Sequence, residues 1–254
     1  MPVGPGLFTP IDTALKGDAE FIILFKNLWT CIEDWCYFVH HYSKNPTSVY
    51  QLHKSFPSYI GLNNACKLGA GGVLCSGTSP LYPVVWQVRW LSDIVWRFVS
   101  SSNKTGFIDI NDLELVGLVL NWLAFKGLNL NLKNKHIATY CNNISAVSWA
   151  YKLRASTSPM AGRLLHLLGI RTHASQASSL TPLSIPGKDN EMADISSRAF
   201  REGKYFHATS DLISYFSSSF PLPQSLSWQQ FTIPTNITSR VIACLCGKQF
   251  WNNC

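Results

Sequence analysis

The stretch SYIGLNNACKLGAGGVLCSGTSPLYPVVWQVRW, residues 58–90, decides the fold of this protein. It divides into three β-prone runs, SYIGLNNA, GAGGVLCSG and PVVWQVRW, separated by turn-forming Gly, Ser and Pro. Short runs with such punctuation predict three consecutive antiparallel strands. Downstream the character changes. NDLELVGLVLNWLAFK reads as a helix over Ile110 to Lys126, with Asn111 or Asp112 as its cap and Leu113, Val116, Leu120 and Leu123 on one face. HIATYC (136–141) is a further strand, Asn143 to Leu153 a helix, and Pro159 to Gln176 a proline-initiated helix. LTPLSIPG ends a fifth strand and GKDNEMADISSRAF opens a last helix. Strands that alternate with helices run parallel, because each crossover must return the chain to the same end of the sheet. The expectation is an α/β fold with a mixed five-stranded sheet, three antiparallel strands then parallel strands, flanked by helices.

Upstream, Gly- and Pro-rich residues 1–20 read as an extended lead-in. Phe21 to Tyr42 carries apolar residues at the three-and-four spacing of an amphipathic helix, closed by Pro46, and Thr47 to Phe56 fits another short helix. The expected organisation is a helical connecting segment over residues 1–57, a main domain over 58–205 and a loop-rich appendage over 206–254.

Composition narrows the function. With 46% apolar residues and nine Trp, the 254-residue chain has ample core material. Its 21 Lys and Arg against 14 Asp and Glu give a formal charge of +7, suited to a polyanionic partner. No apolar run reaches the ~20 residues of a membrane span, since Glu114, Gly117 and Asn121 interrupt the best candidate, so no membrane partner is expected. The N-terminus lacks a secretory pattern, which predicts an intracellular protein, cytoplasmic or nuclear and not secreted, whose eight cysteines are reduced thiols. Cys31, Cys36, His40 and His41, and the pair Cys244 and Cys246, lack the paired spacings of a zinc site.

Strand ends and helix starts are where side chains from different elements converge. The positions that qualify are Asn64 after the first strand, Glu114 in the first helical turn, Asn142 after the fourth strand and Asp194 in the last helix. Hydrolysis of a phosphodiester by two divalent ions roughly 4 Å apart requires acidic side chains at such a junction. Here two are acids and two are amides.

The segments NACKLGAGGVL (64–74), INDLELVGLVL (110–120), YCNNISAVSWAYK (140–152) and IPGKDNEMADISSR (185–198) resemble, in order and spacing, the ribonuclease H domain of retrotransposon reverse-transcriptase polyproteins, nearest to those of algal and diatom elements. The likeness runs from about Gly6 to about Gly247. GLFTPI and LKGD resemble the segment that joins polymerase to nuclease, although nothing resembles the polymerase's paired-Asp motif. The resemblance implies a ribonuclease H-like fold, Mg²⁺ or Mn²⁺ as cofactor, and cleavage of RNA in an RNA–DNA hybrid. It also implies the reverse transcriptase domain of a parent polyprotein as a partner. In that family Asn64 and Asn142 would be Asp, whereas Glu114 and Asp194 match.

Four carboxylates neutralise two divalent cations; Glu114 and Asp194 alone leave +2 uncompensated. The expectation is a catalytically impaired ribonuclease H-type site in which Glu114 and Asp194 hold at most one weakly bound ion. An active hybrid ribonuclease using the remaining acids, and a non-enzymatic nucleic-acid-binding or assembly module, are the alternatives. Asp112 lies about 200° round the helix from Glu114 and is poorly placed to help, as is Asp189 relative to Asp194. Lys152, Arg154, Arg163, Arg171, Lys188 and Arg198 are the candidate phosphate contacts, while Trp149 fits a buried helix face.

Overall fold

The computed structural model describes residues 56–246, apart from 102, 156–157, 176–178 and 200–208, together with individual positions between Trp29 and Lys44. Those early positions are helical, in keeping with the amphipathic spacing, and Trp29 donates its indole N–H to Glu33 one turn on at 2.7 Å. The lead-in of residues 1–20 and the short helix expected over 47–56, Phe56 excepted, lie outside the described residues.

The three runs that opened the sequence analysis form β1 (Tyr59–Ala65), β2 (Gly69–Ser76) and β3 (Val84–Arg89), consecutive and antiparallel, with Ala65 opposite Ala70 and Gly69 opposite Arg89. A single helical turn, α1 (Ser92–Val95), precedes the long helix α2 (Ile110–Gly127). Then come β4 (His136–Cys141), α3 (Ile144–Lys152), α4 (Pro159–Ala174), β5 (Ser179–Ser184), α5 (Glu191–Arg198), α6 (Thr209–Ser219), β6 (Gln229–Phe231) and α7 (Thr235–Leu245). β4 pairs parallel to β1 and β5 parallel to β4, as the strand–helix alternation requires.

Two expectations are corrected. The sheet has six strands in the order β5-β4-β1-β2-β3-β6, because residues 229–231 add a parallel edge strand beside β3. Three residues are too few for a periodicity to show; this strand exists only because β3 offers an unpaired edge. The described part of the segment expected to be loop-rich therefore carries β6 and the helices α6 and α7.

Alternate residues of the strands enter two cores, as the two-residue pleat dictates. Leu74, Val84 and Trp86 face the larger core with α2 and α4, while Val73 and Val85 face a smaller one with Ile195, Leu212, Phe216 and Trp228. The sheet is thus covered on both sides. α2 is the larger core's centre: every residue from Asp112 to Phe125 is buried, so the helix expected to bury a single apolar face is in fact covered on every side. Its cap is Asp109 rather than Asn111 or Asp112. Asp109 accepts from the Asp112 N–H at 2.9 Å and Asp112 accepts from the Asp109 N–H at 3.1 Å, a reciprocal box that uses both acids.

One buried amide ties the sheet to α2. Asn121 accepts from the Trp86 indole at 2.9 Å and donates to Thr139 Oγ1 at 2.7 Å, bridging β3 and β4 with all three groups buried. On the opposite face Gly71 lets α5 lie directly on β2, since a Cβ there would overlap the backbone of Ser196 and Ser197. Gly71→Ala must therefore push α5 off the sheet. We expect a loss of about 2–3 kcal/mol in urea unfolding, at the upper end of overpacking costs; a loss below about 0.5 kcal/mol, the scale of a neutral surface change, would show that the contact does not constrain the fold.

Candidate metal-site remnant

The parallel register aligns Asn63 with Cys141, which places Asn64 and Asn142 at neighbouring strand ends. Glu114 lies in the second turn of α2 and Asp194 in the first turn of α5, on opposite sides of the sheet at that same end. All four positions lie at one end of the sheet; Asn64 and Asp194 are in contact, Glu114 meets the neighbouring Ala65, and Asn142 stands apart.

Their chemistry is closed on itself. Asn64, only 3% exposed, uses both amide protons: one goes to Asp194 Oδ1 at 2.8 Å and the other to Ser197 Oγ at 3.0 Å. The Ser197 hydroxyl donates in turn to the Asp194 carbonyl at 2.9 Å. Asp194 Oδ1 accepts a second, charge-assisted bond from Arg198 Nε at 2.7 Å, one turn along the helix. Glu114 is 5% exposed and accepts from the Ala65 N–H at 3.0 Å, with the Cys141 thiol 3.7 Å from the same oxygen. Asn142 differs. It is exposed beyond β4, beside Gly187 of the 3₁₀ turn Gly187–Asp189, where a Cβ would stand 3.5 Å from its amide nitrogen.

Burial pushes the Glu114 carboxyl from 4.5 up to about 7, only partly offset by the Ala65 N–H and the Cys141 thiol, and the nearby Asp194 charge raises it further. The same burial drives the Cys141 thiol up to about 12, so it is a neutral, poorly nucleophilic group.

A pair of divalent ions does not fit these residues. An amide N–H, not a lone pair, points from Asn64 at Asp194, and Arg198 already supplies that carboxylate with a positive charge. Among the described residues no three His, Cys, Asp or Glu side chains gather as a metal site. Neither neighbouring acid helps: Asp112 is held in its capping box and accepts from Ser158 at 2.6 Å, and Asp189 is exposed on the 3₁₀ turn.

The candidate phosphate contacts separate into two groups. Lys152, Arg154 and Lys188 are exposed. Arg163 instead donates to the Cys244 carbonyl at 3.1 Å, which fastens α4 to the C-terminal end of α7, and Arg198 is the Asp194 partner. Arg171 is half-buried and has an interaction of its own. Trp149 packs against the larger core, as its helix face suggested. Ser197 was missed from sequence; its signal is the three-residue helical spacing from Asp194, which puts both on the face turned to Asn64. Asn143, next to Asn142, caps α3 through the Ala146 N–H at 2.9 Å and donates to Asn111 at 2.9 Å, linking α3 to the start of α2.

No protein-family model matches the sequence, and no curated protein does. Solved structures similar to the chain include RNase H1 of the halophilic archaeon Halobacterium salinarum NRC-1, at 12% identity and TM-score 0.38, over 54% of this chain and 92% of that one. LC11-RNase H1, isolated from compost by a metagenomic approach, gives 13% identity and TM-score 0.38 over 54% and 90%. The N-terminal RNase H domain of a Mycobacterium tuberculosis protein, solved as a fusion with maltose-binding protein, gives 14% and 0.36 over 65% and 99%.

A buried acid whose folded value is raised binds its proton more tightly when folded, so stability falls as pH rises from about 4.5 through about 7. The loss attributable to Glu114 is about 3 kcal/mol, at 1.36 kcal/mol per unit. Urea unfolding of the wild type and Glu114→Gln across that window should show the decline in the former and its removal in the latter; parallel curves would refute the assignment.

Proposed function

We propose that residues 58–205 are a retrotransposon-derived ribonuclease H-like domain for RNA–DNA hybrid, catalytically impaired because Asn64 and Asn142 replace two metal-binding Asp. The observation that carries this reading is the bond from the Asn64 amide to Asp194. A donor occupies the place where the chemistry needs an acceptor for a cation, and Arg198 supplies the neutralising charge instead. Burial favours the neutral Glu114 carboxyl, so a cation must displace a proton there, which further weakens any single ion held by Glu114 and Asp194. Both replacements are Asp to Asn, each reachable by one G-to-A transition, in keeping with decay of a mobile-element copy.

The ordering of the elements supports the ancestry: three antiparallel strands, a buried helix, then parallel strands, with the four family positions at one end of the sheet. Hybrid recognition falls to exposed Lys152, Arg154 and Lys188, whose contacts would be to phosphates and therefore independent of sequence. On this reading the helical segment before residue 58 joins the domain to a reverse transcriptase in the parent polyprotein. No helix among the described residues is long and apolar enough to cross a membrane.

The test is cleavage of a labelled RNA–DNA hybrid in Mg²⁺ or Mn²⁺ by the wild type, the Asn64→Asp/Asn142→Asp double revertant, and each of these two carrying Glu114→Gln. Only the revertant should cut, at least about 10³-fold faster than the wild type, on the scale of losing an electrostatic element of a site. Cleavage by the wild type that Glu114→Gln abolishes sinks the impaired-site reading. The revertant also makes stability metal-dependent. Asn64→Asp exchanges a donor for a second carboxylate beside Asp194, so its melting temperature should fall without metal and recover with Mg²⁺, whereas the wild type should not respond.

A further inference from the structure

The segment between β3 and α2, residues 90–109, is folded rather than loose. Asn103 donates its amide to the Trp96 carbonyl at 2.6 Å and to the Phe98 carbonyl at 3.1 Å, and the Arg97 carbonyl accepts from the N–H groups of Phe107 and Ile108 at 3.0 Å each. Ile94, Phe98 and Ile108 point into the core. The same backbone turns Trp96 outward at 79% exposure and Phe107 at 55%, a large cost in apolar hydration for a segment so firmly anchored.

Cations lie along this segment and beside it. Arg97 lies 5.7 Å from the Phe107 ring centre, and Lys67 of the β1–β2 turn lies 5.2 Å from that of Phe98. Lys104 is exposed in the segment, and Arg89 is exposed where β3 enters it. Asp93 is the one exposed acid of the segment among its described residues. Because Arg89 pairs with Gly69, the neighbour of the Ala70 that lies opposite Ala65, the segment leaves the sheet at the end where Asn64, Glu114 and Asp194 meet.

We propose that Trp96 and Phe107, with Arg97, Lys104 and Lys67, form a stacking surface for an unpaired stretch of nucleic acid, separate from the metal-site remnant and adjoining it. Exposed planar rings interleaved with cations satisfy the two needs of single-strand recognition: a π-face for each base and positive charge for the backbone. The surrounding charge favours this occupant over an apolar partner. The surface is independent of whether the nearby site can cleave.

The experiment titrates the full chain into a fluorescein-labelled oligouridylate and reads anisotropy, for the wild type, Trp96→Ala and Phe107→Ala, with circular dichroism to confirm folding. Each variant should bind at least about fivefold more weakly, from the ~1–3 kcal/mol carried by one stacked base. Lys67→Ala combined with Lys104→Ala should reduce the slope of log affinity against log salt by about 1.4, at ~0.7 per single-strand phosphate. Unchanged affinity in both ring variants overturns the proposal. So does concentration-dependent self-association in sedimentation that Trp96→Ala removes while oligouridylate does not bind, which would assign the rings to a contact between copies. Cleavage by the double revertant is scored separately on hybrid, so failure here and failure of the impaired-nuclease reading give different results.

Discussion

The contact between Asn64 and Asp194 is the constraint on which the rest of this protein turns. It joins the end of the central strand to the helix on one face of the sheet, with Ser197 and Arg198 completing a closed set of donors and acceptors. A carboxylate at position 64 would need a cation to hold Asp194 so close, since two negative charges a few ångströms apart in a poorly solvated site repel strongly. An amide needs none. With an amide at position 64, the strand end is tied to the helix without an ion.

The other side of the sheet tells a complementary story. Glu114 sits in a helix buried on every side and is met by one backbone N–H and a thiol, so burial dominates and its carboxyl is raised to about 7. In a site with a cation beside it the same burial would be offset by the ion's charge. Without one, Glu114 is a buried acid kept partly neutral, which is tolerable because the neutral form can still take part in the hydrogen bonds around it. Asp194 and Glu114 are therefore held in opposite ways, Asp194 by Arg198 and Glu114 by burial that favours its neutral form.

Much of the scaffold was legible because its signals are local. The strand HIATYC is β4 residue for residue, Asn143 caps the following helix, and Pro159 starts the next. β6 was not legible, since a three-residue strand owes its existence to the edge of β3 and not to its own pattern. The helices of residues 209–245 are equally hidden, because Pro and Ser around them break the periodicity and their apolar residues, such as Phe216 and Val241, find partners only in the assembled cores.

What the sequence by itself determined is the order of four positions at strand ends and helix starts, two of them acids and two amides. Only the tertiary structure decided what those amides do. Asn64 became a buried cross-link to Asp194, while Asn142 stayed exposed at its strand end. Likewise Arg163 and Arg198, indistinguishable from Lys152 and Lys188 as charges in the sequence, were drawn into contacts by the neighbours that folding gave them. The reason is geometric. A sequence fixes which donors and acceptors exist, but hydrogen bonds are short and directional, so their pairing is settled by which elements the sheet register and the close approach at Gly71 bring within about 3 Å of one another.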